Sequence, residues 1–200
     1  MSRIVKATIQ GTAPILLHNP QQMSTQSDGK KKIPTPAEEA LIGCYWTDDK
    51  HLGFPAINIH RSMVSAAGAF RAGKLSMTPY IAGGIEVQPE IVPFYTLNDK
   101  GKKEPITEYL IDTRRAVVQR QGIMRSRARI PKGWMLTFEI TVSEEDLPQK
   151  TSLDMLKAIL AEAGRRIGIG DFRPQKTGPF GKFVVIEWNE GTSTGVAAAA

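Results

Sequence analysis

The chain has one cysteine, Cys44, which excludes an intrachain disulfide and a cysteine-rich zinc site. No apolar run reaches the roughly 18 residues a membrane helix needs. The phosphate-loop pattern Gly-x4-Gly-Lys-Ser/Thr is missing, and so is Gly-x-Gly-x-x-Gly, which disfavours a nucleotide-hydrolysing or dinucleotide enzyme. Histidine is scarce, at His18, His51 and His60, and none sits in a His-Glu-x-x-His arrangement. No internal repeat is visible. The start, Met1-Ser2-Arg3-Ile4, runs straight into strand-like sequence, so no signal peptide is expected and a soluble, cytoplasmic protein is the expectation. No metal site and no cofactor are expected.

The most informative absence is local. Between Arg114 and Lys132 there is no acidic residue, yet there are seven basic ones: Arg114, Arg115, Arg120, Arg125, Arg127, Arg129 and Lys132. All 20 acids lie elsewhere, against the remaining 19 of the 26 Lys and Arg, so this stretch carries the whole positive excess of the +6 chain. Six of the seven are arginine, whose planar fork grips phosphate oxygens in pairs and whose flat face stacks on bases. Arg125-Ser126-Arg127-Ala128-Arg129-Ile130 alternates with period two, so an extended chain puts three guanidinium groups on one face and Ser126, Ala128 and Ile130 on the other. Like charges on one strand face repel, and a bound polyanion relieves that repulsion. The competing reading is a solvated hairpin neutralised by acids from elsewhere in the chain.

What remains is ordinary for a folded protein, with 41% hydrophobic and 23% charged residues over 200 positions. Residues 4–11 alternate as a strand, and Ile15-Leu16-Leu17 resumes an apolar run before His18-Asn19-Pro20. Residues 19–34 are polar, include Lys30-Lys31-Lys32, and read as a solvated loop. Thr35, Pro36 and Glu38 form a capping box for a first helix. Asn58 is the expected cap of a second, with Met63, Ala66, Ala67 and Phe70 on its apolar face and Arg61, Ser62 and Ser65 opposite. Residues 83–97, broken by Pro89 and Pro93, predict edge or irregular strands. Residues 109–132 predict a basic hairpin with Gln121-Gly122 near its tip. Trp134, Leu136, Phe138, Ile140 and Val142 alternate as a half-buried antiparallel strand.

Thr151 with Asp154 signals the start of a last helix, whose stripe is Leu153, Leu156, Leu160, Ala163 and Ile167. A glycine-rich loop follows, and Phe183–Trp188 reads as a central strand. Residues 191–200 read as a disordered tail. Strand, helix, strands, helix, strand is the order of a β-α-β-β-α-β sandwich. The expected fold is therefore α+β: a ferredoxin-like or RRM-like antiparallel sheet with helices on one face, one sheet face left for a ligand, and an inserted basic β-hairpin, all within a single domain over residues 1–190.

Three segments resemble the RAMP superfamily of CRISPR effector complexes: Ala7–His18, Phe54–Met63, and Gly164–Gly170 continuing to Gly178-Pro179-Phe180-Gly181-Lys182-Phe183. The basic strand followed by Pro131-Lys132-Gly133 and an alternating strand is similar to the crRNA-binding backbone subunit of those complexes, and phage-encoded relatives share the same look. The resemblance implies binding of a single nucleic-acid strand, RNA or DNA, by copies packed side by side.

The candidate binding residues are the seven of the basic stretch, with Arg165, Arg166, Arg173, Lys176 and Lys182 around the glycine loop of Gly168, Gly170, Gly178 and Gly181. Glycines let backbone N–H groups approach phosphate, although the same residues also serve to end helices. The expected protein is not an enzyme. The rival reading is a metal-independent RAMP endoribonuclease with His18 or His60 as general base, or with Asp28 in a catalytic role. A third is a phage structural or protein-interaction module whose basic stretch docks an acidic partner. Tyr45, Trp46, Phe94, Tyr95, Tyr109, Phe172 and Phe180 lie outside the obvious core stripes and are candidates for base stacking, while Trp134 and Phe138 are assigned to packing.

Overall fold

A computed structural model describes residues 2–20, 34–118, 121–148 and 151–192. The strands, in chain order, are β1 (Ser2–Gly11), β2 (Ile15–Leu16), β3 (Tyr45–Trp46), β4 (Leu52–Pro55), β5 (Arg71–Ala72), β6 (Leu75–Ser76), β7 (Ile85–Gln88), β8 (Ile91–Leu97), β9 (Lys103–Pro105), β10 (Leu110–Val118), β11 (Gln121–Ile130), β12 (Met135–Ser143) and β13 (Phe183–Thr192). The α-helices are α1 (Pro36–Ile42), α2 (Ala56–Ala67), α3 (Thr78–Gly84) and α4 (Leu153–Glu162).

The main sheet runs β13-β1-β12-β8-β4-β3, with β7 also paired to β12, and its ladders are antiparallel. Taking β1, α2, β7, β12, α4 and β13 in order gives the β-α-β-β-α-β arrangement, with the first and third strands central. The α+β fold expected from the sequence is the fold observed.

The alternation of β1 and β12 decides which face is buried. Val5, Ala7 and Ile9 of β1 and Leu136, Phe138, Ile140 and Val142 of β12 form one core with Ile59 and Met63 of α2 and Leu156, Ile159 and Leu160 of α4. Trp134 lies under Gly11, where any Cβ would overlap the indole, and its Nε1 donates to the Ala13 carbonyl at 2.9 Å. Phe94 packs edge-on to both Phe54 and Trp134, so it is a core residue and not a base-stacking one.

The opposite sheet face is polar and closed. Tyr95 Oη and Thr137 Oγ1 lie 2.6 Å apart, Thr137 and Thr8 Oγ1 3.0 Å apart, and Thr8 donates to Glu187 at 2.7 Å. Lys103 sits over the Tyr95 ring, 4.4 Å from its centroid. The register adds Glu139, Gln88 and Glu86 to this face beside Lys6. Tyr95 is buried, and the acids outnumber the cations here, so the open face offers a polyanion neither a stacking platform nor a positive field. The groups on this face give no support to the expectation that it takes the ligand.

Four local expectations are corrected. Helix α2 starts at Ala56 with Pro55 as its N-cap, not at Asn58, because Pro55 already supplies the extended entry. Ser152, not Thr151, caps α4, accepting from the Met155 N–H at 3.1 Å. Among the described residues, strand β13 is an edge strand paired only with β1. Its apolar run is not doubly buried, since Val184 and Ile186 are 45% and 44% exposed. It also continues through Gly191 and Thr192, two residues past the expected start of the tail, and residues 193–200 lie outside the described residues. Among the described residues no helix is long and apolar enough to cross a membrane.

Replacing the Ser152 hydroxyl removes one acceptor for an otherwise unpaired helix N–H. Ser152→Ala is expected to cost about 1 kcal/mol in urea unfolding, and Thr151→Ala much less. Equal effects of the two substitutions would place the cap wrongly.

Candidate nucleic-acid interface

The hairpin forms as β10 and β11, with β2 added along the outer edge of β11. The described ladder ends at Val118 and Gln121, and Arg120 lies outside the described residues, as do Asp28 and Lys30-Lys31-Lys32 of the 19–34 loop. The period-two reading of β11 holds. Ser126, Ala128 and Ile130 are buried, while Arg125, Arg127 and Arg129 share the other face. Across the ladder, Arg125 opposes Arg114 and Arg127 opposes Asp112, so these four charged groups share one face. Arg115 opposes Met124 on the other face.

The repulsion expected among these arginines is relieved by the protein's own carboxylates, and here the polyanion argument is corrected. Asp112 takes Arg114 in a two-pronged contact, Nε at 2.5 Å and Nη2 at 3.0 Å. Glu39 of α1 accepts from Arg125 Nη1 at 2.8 Å and from the Ser126 backbone N–H at 2.8 Å, so one carboxylate both neutralises the guanidinium and completes the free edge of β11. Asp171 forms an ion pair with Arg127 whose geometry falls short of a hydrogen bond. Arg129 has a buried Nε with no hydrogen-bond partner among the described residues.

Asp171 belongs to the glycine loop, so the hairpin and the loop are one construction. Helix α4 widens after Glu162 into a π-helical turn, Ala163–Ile167, which ends at Gly168 with φ +72°. The loop then runs back against the segment after β1: Asp171 N–H donates to the Leu16 carbonyl at 2.9 Å and Gly181 N–H to the Pro14 carbonyl at 2.8 Å. The glycines serve this path. At Gly178 a Cβ would overlap the Phe172 carbonyl, and at Gly181, φ +68°, it would overlap that of Ile169. Gly170 lies against Ile15 and the Leu16 carbonyl. The missing side chains are thus accounted for by the loop's own close approaches.

A cleft of about 260 Å³ opens beside this junction, lined by His18, Tyr45, Asn58, Arg61, Ser62 and Arg173, with Phe54, Ile169, Gly170 and Asp171 around them. Ser62 donates to the Gly168 carbonyl at 3.0 Å and ties α2 to the loop. Arg173 is held by the Gly170 carbonyl at 3.1 Å and the Gln175 side chain at 2.9 Å, and Gln175 reaches Ser65 at 3.1 Å. Neither Arg61 nor Arg173 has an ion pair among the described residues. The Tyr45 hydroxyl donates to the His18 carbonyl at 3.3 Å. Burial holds the His18 pKa below its usual value, opposed by Asp171 and aided by Arg127 and Arg125, so the ring is neutral at pH 7.

The remaining sequence candidates are placed elsewhere. Arg165 and Arg166 share Glu162, at 2.8 and 3.4 Å, and do not line the cleft. Arg115, Lys132, Lys176 and Lys182 are exposed. His60 lies in a separate groove between α2 and β7, its Nδ1 buried and without a hydrogen-bond partner among the described residues. Asn58, Arg61 and Ser62 were missed as site residues, although their i, i+3, i+4 spacing on the polar face of α2 was the available signal. The partnering acids Glu39 and Asp171 carried no signal of their own.

No protein-family model matches the chain, and no curated protein does so by sequence. Among solved structures it is similar to a chain of the type III-B Cmr-β complex bound to cognate target RNA, with a TM-score of 0.56 and 12% identity. The match covers 96% of this chain and 61% of that one, so the chain spans under two thirds of that protein's length.

His18 gives this site a pH signature. Its folded pKa is below the unfolded value, so the unfolded chain binds the extra proton and stability is lost as pH falls from about 6.5. An NMR titration of the His18 ring should show the lowered pKa, and His18→Gln should remove that part of the acid-side loss. A His18 pKa at or above 6.5 contradicts the geometry. Occupation of the cleft by a phosphate should raise it.

Proposed function

We propose that the chain binds a single strand of nucleic acid, RNA first among the two, along the edge where the hairpin, the glycine loop and the cleft meet, without catalysing a reaction on it. The observation that carries the reading is convergence. Arg61 of α2 and Arg173 of the glycine loop, far apart in sequence, line one cleft and have no ion-pair partner among the described residues, and the hairpin's Arg127 meets the same cleft through its ion pair with Asp171. The likeness in fold to a chain of an RNA-bound complex supports the same reading. Arg61 and Arg173 take phosphates, the exposed Lys132, Lys176 and Lys182 extend the positive track, and affinity comes with little sequence preference. Copies assemble side by side on one strand, which lengthens the groove.

A second reading is a metal-independent endoribonuclease. What favours it is the neutral His18 in a cleft that also holds two arginines and a tyrosine, a combination suited to proton abstraction next to a bound phosphate.

Fluorescence anisotropy with a labelled RNA 20-mer tests both. With four or five phosphates neutralised, log affinity should fall against log salt with a slope of about −3 to −3.5. Arg61→Ala and Arg173→Ala should each weaken binding about tenfold, roughly 1.4 kcal/mol, and flatten the slope by about 0.7. Full-length RNA recovered after long incubation supports the binding-only reading. Cleavage lost in His18→Ala replaces it with the nuclease, and no binding at low salt removes both. Sedimentation with and without the 20-mer reports the side-by-side packing.

A further inference from the structure

Phe172 is the point where the glycine loop departs furthest from ordinary backbone economy. It is a bulky residue with φ +48°, a region that side chains of this size rarely adopt. Yet its side chain is not driven there by burial, since it remains 39% exposed. Three separate features hold the conformation. Asp171 Oδ1 accepts the Phe172 N–H at 2.9 Å, the Phe180 N–H donates to the Phe172 carbonyl at 3.3 Å, and Gly178 leaves room for that same carbonyl. An exposed apolar ring gains little from such an arrangement by itself, and backbone strain of this kind persists where the surroundings over-determine it.

The surroundings of the ring are those of a stacking platform. Phe180 packs beneath it at 6.1 Å between centroids with an interplanar angle of 35°. The guanidinium of Arg114 lies 4.8 Å from the Phe180 centroid. The buried Phe180 ring thus contacts both a cation and the exposed ring. Phe172 is flanked in sequence by Asp171 and Arg173, both of which line the cleft. A π surface next to cationic phosphate sites matches the repeat of a nucleic-acid strand, which presents a flat base beside each phosphate.

We infer that Phe172 stacks on a nucleobase of the bound strand, with Phe180 and Arg114 as its fixed support. The inference rests on the strand-binding reading and names the group that reads the base face. It explains why the loop fixes an aromatic residue at an otherwise unfavourable position. Stacking of this type is tolerant of base identity, so it adds affinity without sequence preference. Asp171 acts as a positioning residue, because the carboxylate that faces Arg127 also holds the Phe172 N–H.

The test compares the full chain and its variants on two probes at one salt concentration: an oligo(U) 10-mer and an abasic 10-mer of the same backbone. Phe172→Ala should weaken oligo(U) binding about fivefold to 150-fold, the range for loss of one stacked base. It should leave abasic binding and the salt slope unchanged. Phe172→Tyr should bind as the unsubstituted chain does. Equal affinity of Phe172→Ala and the unsubstituted chain for oligo(U) overturns the inference, and so does an equal loss on both probes, which marks Phe172 as a scaffold of the loop. If the unsubstituted chain binds the abasic strand as tightly as oligo(U), no base is stacked and the inference fails while strand binding stands. If it binds neither probe at low salt, strand binding itself has failed and the stacking falls with it.

Discussion

The carboxylate of Asp171 is the contact on which the cationic edge depends. One oxygen faces Arg127 of the hairpin and the other holds the backbone of Phe172, while its N–H closes the loop onto Leu16. Remove that group and three elements lose their common point. Glu39 does similar work from the other side, pairing with Arg125 and completing the free edge of β11. A basic strand that would repel itself is thereby kept straight and registered.

This arrangement divides the arginines into two kinds. Arg114, Arg125 and Arg127 are neutralised by the chain itself: Arg114 within β10, Arg125 by α1, and Arg127 by the glycine loop, which it joins to the hairpin. Partly exposed pairs of this sort contribute little net stability each, about 0–1 kcal/mol, so their value lies in geometry more than in energy. Arg61 and Arg173 stand beside the cleft without such a partner among the described residues. A ligand that meets a fixed, unneutralised cation avoids both the ordering cost and the competition that a paired one imposes.

The frame explains why the edge, and not the sheet, carries the charge. The polar sheet face is filled by hydroxyls bonded to one another and by Glu86, Glu139 and Glu187, and Tyr95 on it is buried under Lys103. Cations from α2 and the glycine loop instead gather around the cleft where the chain leaves β2 at His18, beside Asp171. The π-helical turn at Ala163–Ile167 and the left-handed glycine after it set the direction in which the loop leaves α4.

Much of this was legible in the order of residues. Period two along β1, β11 and β12 named the buried sets, because a pleated strand alternates its faces whatever its neighbours are. The capping box at Thr35 and Glu38 and the stripe of α4 announced their helices for an equally local reason. Failures came where a neighbour decided the matter. An apolar run such as Phe183–Trp188 looks central until the sheet ends there. Arg125 and Arg127 looked unpaired because Glu39 and Asp171 lie far away along the chain. Arg61 looked like a plain solvated helix residue until the glycine loop was folded beside it. Local pattern thus determined the strands, the helices and the sign of the charge. Only the tertiary structure decided which charges neutralise each other and which are left at a cleft, because Coulomb interaction depends on distance in space and not on separation along the chain.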